Sequence, residues 1–240
     1  MPQLPALTHL FWAECSWSVL QLNAILAAAP SLWHLALTGS GNLSSGYRKG
    51  LTFQLSPGPE FLPLRCLRSL NLVRLSTDCV HALLAQGVHF GQLTHLTITP
   101  MHFEWESFPV LPALRVLSLV VDSSDTATIP FHAVLDRCRS VEELRYGARD
   151  TPVAPYETQV AAKLLCVRIY LDARMSWRRR GWRAASRLHA TLLLRSTFGA
   201  LRRVVLDGSG WLEDESPEWP EWALLRERGC RVEYPNHKGE

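Results

Sequence analysis

Most of the usual chemical signatures are missing from this 240-residue chain. Its six cysteines, Cys15, Cys66, Cys79, Cys138, Cys166 and Cys230, form no C-x-x-C pair and fit no zinc spacing. No nucleophile elbow, P-loop, H-E-x-x-H or dinucleotide fingerprint occurs. The expectation is a non-enzymatic protein without cofactor or metal. No apolar run approaches the ~18 residues of a membrane span, and no basic-then-apolar signal segment opens the chain. Charge of one sign is scarce too. Lys and Arg number 25 against 22 Asp and Glu, for a net charge of +3, so no global field for nucleic acid or membrane is implied. Thiols set in apolar-periodic stretches behave as small hydrophobes. The six are therefore expected to be reduced and buried, in an intracellular protein of the cytoplasm or nucleus.

What is present is leucine at fixed spacing. Leu93-Thr94-His95-Leu96-Thr97-Ile98 has the form L-x-x-L-x-L. The same skeleton stands at Leu7/Leu10/Trp12, Leu32/Leu35/Leu37, Leu67/Leu70/Leu72 and Leu114/Leu117/Leu119. Looser copies stand at Val141/Leu144/Tyr146, Leu164/Val167/Ile169 and Leu201/Val204/Leu206. Eight copies at intervals of roughly 21 to 37 residues are the signature of a leucine-rich repeat solenoid. The fold class expected is α/β, an irregular horseshoe with a parallel sheet on its concave face and helices and irregular turns on its convex face. Residues 1–240 are read as a single domain, with an inserted loop at 39–64 and a basic, Trp-bearing insertion at 172–183. The ninth position, where the consensus wants Asn or Cys, reads Cys15, Ser40, Leu75, Met101, Asp122, Arg149, Asp172 and Ser209, so the solenoid should be irregular.

Helical returns follow from the 3.6-residue period. Val19, Leu22, Ile25, Leu26 and Ala29 share one face, and Pro30 ends that helix. Val80, Leu83, Leu84 and Val88 share another. Phe131, Val134, Leu135 and Cys138 form a third behind Pro130. The 21 residues between Leu93 and Leu114 are few for a full helix, and a 3₁₀ return is expected there. A helix over about 182–195 and a short one over Glu221–Glu227, stopped by Gly229, complete the set before a last edge strand at Arg231–Tyr234.

If the first, fourth and sixth positions point inward, period two sends the third, fifth and seventh to the concave face. From that ladder the partner-binding candidates are His9, Phe11, His34, Asn71, His95, Thr97, Glu143, Arg145, Arg168, Tyr170 and Arg203, with Phe11, Arg168 and Tyr170 as natural anchors. The blander reading is a merely solvated sheet face. His9 and His34 should be cross-strand neighbours, but no carboxylate or thiolate joins them, so stacked imidazoles are preferred over a metal site. The alternative function rests on Arg174, Trp177, Arg178, Arg179, Arg180, Trp182 and Arg183, which could grip RNA or an acidic ligand. That segment is equally a solvated loop paired with the acidic stretch 213–221.

The chain resembles the leucine-rich repeat region of fungal F-box/LRR-like proteins, the substrate receptors of cullin-based ubiquitin ligases. The carriers are residues 25–35 (Ile25-Leu26-Ala27-Ala28-Ala29-Pro30-Ser31-Leu32-Trp33-His34-Leu35), their relative at 134–144 and the closing segment Leu224–Tyr234. The resemblance implies a protein-interaction scaffold that recognises a substrate. It implies an adaptor partner only if an F-box lies outside this chain, because six residues before Leu7 are too few to form one.

Overall fold

The computed structural model describes residues 3–13, 19–39, 65–73, 75, 77–85, 91–99, 105–119, 131–148, 163–171, 190–191, 193–194, 198–208 and 220–233. Most of the 39–64 and all of the 172–183 insertions lie outside these residues, as does the acidic stretch 211–219. The chain divides into two compact units, Met1–Arg115 and Val116–Glu240. Both are α/β, and every strand pairing described within them is parallel.

The first unit carries β1 (His9–Ala13), α1 (Val19–Ala28), β2 (His34–Thr38), β3 (Ser69–Val73), α2 (Thr77–Ala85) and β4 (His95–Thr99). A single 3₁₀ turn at Trp105–Ser107 follows, as the short spacing before Leu114 required. The strands lie side by side in chain order. Their register aligns His9, His34, Ser69 and His95 in one row and Phe11, Ala36, Asn71 and Thr97 in another. The second unit carries β5 (Val116–Leu119), α3 (Phe131–Arg137), β6 (Glu143–Ala148), β7 (Cys166–Leu171), β8 (Arg203–Gly208), α4 (Pro220–Glu227) and β9 (Arg231–Glu233), again in chain order. Here one row reads Val116, Glu143, Cys166, Arg203 and Arg231. A parallel order of this kind needs a crossover between successive strands, and the helices and the 3₁₀ turn supply those described.

Each unit repeats one backbone device. The carbonyl of the second repeat position accepts from two successive N–H groups of the next repeat. Thr8 receives Trp33 and His34, Trp33 receives Arg68 and Ser69, and Arg68 receives Thr94 and His95. In the second unit Glu142 receives Leu165 and Cys166, and Leu165 receives Arg202 and Arg203. A tight turn precedes the first position: the N–H groups of Leu32, Leu114, Val141 and Leu201 donate to the carbonyls of Ala29, Leu111, Cys138 and Phe198. Backbone groups buried at each strand entry are thereby satisfied.

The core lies between strands and returns. Leu35, Leu37, Leu70, Leu72, Leu96 and Ile98 are buried in the first unit, with Leu22 and Leu26 of α1 and Val80, Leu83 and Leu84 of α2 against them. Leu144, Tyr146, Val167, Ile169, Val204 and Leu206 do the same in the second, where Phe131 of α3 meets Tyr146 at 4.9 Å between ring centroids. Leu75, at a ninth position, is buried, so a plain leucine fills the place meant for a polar residue there. Gly229 ends α4 with φ 81°. Its N–H donates to Arg226 and that of Cys230 to Leu225, at 2.8 and 3.0 Å, the paired closure that favours glycine at a helix end.

Three expectations need correction. The inward positions of the first repeat, Leu7, Leu10 and Trp12, are only half-buried; among the described residues β1 stands at the end of the strand order, with a strand on one side. Cys66 is exposed and Cys166 half-buried; only Cys138 and Cys230 of the four described thiols are buried, and all four are free. Four face positions, Ala36, Thr99, Ser118 and Val205, are themselves buried, since larger neighbours on adjoining strands cover their short side chains. Among the described residues no helix is long and apolar enough to cross a membrane.

Candidate functional site

The strand positions opposite the core present two chemically different surfaces, one on each unit. On the first unit the face is aromatic and imidazole-rich. Phe11 is 70% exposed and Trp33 40%, large apolar areas left in water. The His9 ring meets the Trp33 ring edge-on at 4.4 Å and the His34 ring at 5.5 Å, tilted by 33°. Phe11 lies 5.0 Å from His34. Parallel register produces this cluster: His9 and His34 are opposite one another, and Phe11 stands two residues along the same face. The two imidazoles are tilted neighbours rather than a stack.

Burial and then the neighbouring His9 and His95 push the His34 imidazole below its ordinary value of 6.5. Its Nε2 is buried without a hydrogen-bond partner among the described residues, and so is Oδ1 of Asn71 on β3. Buried polar atoms nearly always have partners, so these two, both closed to solvent, are exceptions on this face. His95 is fixed differently. Thr94 Oγ1 donates to the carbonyl of Arg68 at 3.0 Å, which uses its one proton. Its 2.9 Å contact with His95 Nδ1 therefore has the imidazole as donor. Thr8 and His9 make the same Oγ1···Nδ1 contact at 2.9 Å. Thr97 stands half-buried between these rows.

On the second unit the face is a charge ladder. Arg168 Nη1 donates to Asp207 at 3.2 Å, and its Nε lies 3.8 Å from Glu143. Arg145 donates to Glu143 at 2.9 Å, Arg203 to Glu233 at 3.0 Å and Arg231 to Glu233 at 2.9 Å. The Glu143 hydrogen bond raises the Arg145 guanidinium above its ordinary value. Tyr170 is half-buried, beside Asp207 in register. Arg168, expected as an anchor, is thus engaged by two carboxylates of its own unit. Burial, then Glu143, pushes the Cys166 thiol up, and burial pushes Cys230 up to about 11. Both stay protonated near neutral pH, and an activated nucleophile needs the opposite shift.

The structure brings His9, Phe11, His34, Asn71, His95 and Thr97 to one face of the first unit. It brings Glu143, Arg145, Arg168, Tyr170 and Arg203 to one face of the second. Arg174, Trp177, Arg178, Arg179, Arg180, Trp182 and Arg183 lie outside the described residues. Three contributors are not among the partner-binding candidates read from the sequence. Trp33 sits at the second repeat position, outside the alternating set, yet its ring reaches His9. Asp207 and Glu233 neutralise the arginines from strands 39 and 30 residues away in sequence. The parallel register pointed to Asp207, which stands in the same row as Tyr170. Comparison with family models, with curated proteins and with solved structures returned no match.

Proposed function

We propose that this chain is a leucine-rich repeat scaffold that binds another protein through its exposed strand face and carries out no chemistry itself. The observation that supports this best is the solvent-facing cluster of Phe11, Trp33, His9 and His34. Aromatic side chains dominate binding energy at protein interfaces, and a large exposed aromatic patch is costly unless something covers it. The exposed imidazoles of His9 and His95 add polar positions around the apolar centre, the usual anatomy of a docking site. The arginines of the second unit are engaged by carboxylates of their own unit and serve orientation more than affinity. By its resemblance, the role is substrate recognition for an intracellular ubiquitin ligase, with an adaptor as partner only if an F-box lies outside this chain.

Affinity capture with the full chain tests this. The Phe11→Ala/Trp33→Ala variant should lose the specific partner by about 2 kcal/mol or more, the usual hot-spot loss. Arg139→Ala, which disturbs only an exposed pair within one helix-to-strand turn, should keep it. Equal capture by all three proteins would remove the assignment.

A further inference from the structure

We propose that β1 is a dimerisation edge, pairing antiparallel with β1 of a second copy about a two-fold axis through Phe11. The two sheet margins differ in a way that points there. β9 has three residues, and Arg231 and Glu233 put charge on it, the ordinary means of discouraging edge pairing. β1 has five residues, His-Leu-Phe-Trp-Ala, with no fixed charge and no proline. Among the described residues no strand pairs with its outer side.

The backbone of β1 is already set for such a partner. The Thr8 carbonyl faces β2, accepting from Trp33 and His34. In a parallel pair, alternate residues face the neighbour, so Leu10 and Trp12 also address β2. His9, Phe11 and Ala13 then direct N–H and C=O outward. An antiparallel pairing centred on Phe11 opposes Phe11 to Phe11, and His9 to Ala13 twice. These are the hydrogen-bonding positions, giving about six backbone bonds. The intervening close pairs oppose Leu10 to Trp12 on the core side, where side chains approach most nearly. Leu10 and Trp12 are only half-buried in the single chain, although the equivalent Leu35 and Leu37 are fully covered. One pairing therefore uses every outward backbone group of the strand and covers both half-exposed core residues. The strand is self-complementary, and a two-fold interface requires that of its own sequence.

The test uses the full chain. Sedimentation equilibrium up to about 0.1 mM should show a concentration-dependent dimer. Phe11→Lys sets two ammonium groups against each other on the axis, and Phe11→Pro removes only an outward N–H, a change that edge strands tolerate. Both should weaken the dimer at least tenfold while circular dichroism keeps the wild-type spectrum. Trp33→Ala should leave it intact, which separates this edge from the partner face. Under mild oxidation in a Cys66→Ser background, Phe11→Cys should cross-link at least tenfold more than Ala13→Cys. The Cα separations are about 5.5 Å and about 13 Å, and only the first fits a disulfide. A chain that is monomeric throughout, a dimer indifferent to both Phe11 variants, or equal cross-linking at the two positions overturns the proposal.

Discussion

His34 holds the most informative single side chain. Its folded-state pKa lies below 6.5, first because of burial and then because of two other histidines. A histidine shifted this way binds fewer protons folded than unfolded near and below that value. Stability is therefore full above about 6.5 and is lost as pH falls through the window below it. The melting temperature should drop on acidification from pH 7 to 5, and His34→Phe should flatten the slope. An unchanged slope in that variant would place the acid sensitivity elsewhere. The thiols make a second residue-scale prediction. In the folded chain, Cys66 should react with a thiol reagent at near-peptide rates, while Cys138 and Cys230 should resist until unfolding. Mass spectrometry of the labelled peptides reads both. Sequence alone could not separate these cysteines. Cys66 stands directly before the first repeat position Leu67, where the chain turns outward, whereas Cys138 closes the apolar face of α3.

At the scale of elements, leucine layers bear the stability. Leu70→Ala in β3 should cost about 2–5 kcal/mol by denaturant unfolding, because it empties a fully enclosed place. Ion pairs should contribute far less, and unequally. Arg168 and Asp207 have side chains 23% and 19% exposed, against 74% and 52% for Arg139 and Asp136. Double-mutant cycles should return about 1 kcal/mol for the first pair and a few tenths for the second. The strand positions were legible in the sequence because the L-x-x-L-x-L spacing leaves no other residues to point inward. The helix faces of α1, α2 and α3 were legible for the same reason at period 3.6. Edge effects were not: Leu7, Leu10 and Trp12 match the pattern as well as any repeat, yet they are half-covered at the end of the strand order among the described residues.

At the scale of the molecule, the two units divide the surface chemistry between them. The first shows rings and imidazoles, the second shows charges already paired. If the partner docks on the first, raising salt from about 0.1 to about 0.5 M should change affinity less than threefold, because screening acts on charge and not on apolar contact. A steep salt dependence in a titration would transfer the site to the arginines. The candidate residues were legible as three rows on alternating positions, but their grouping was not. His9, Phe11 and His34 meet because β1 and β2 hold a common register. Arg168 is neutralised by Asp207, whose acidity the sequence printed without saying where it would fold. Trp33 was missed because it occupies a position that alternation does not assign to the face.

The hydroxyl of Thr94 settles something about recognition that no distance to a partner could. Its proton is committed to the Arg68 carbonyl, so the neutral His95 ring keeps its own proton on Nδ1 and turns a lone pair outward at Nε2. A molecule docking on that ring nitrogen must bring a hydrogen to it, such as that of an amide, a hydroxyl or an ammonium group.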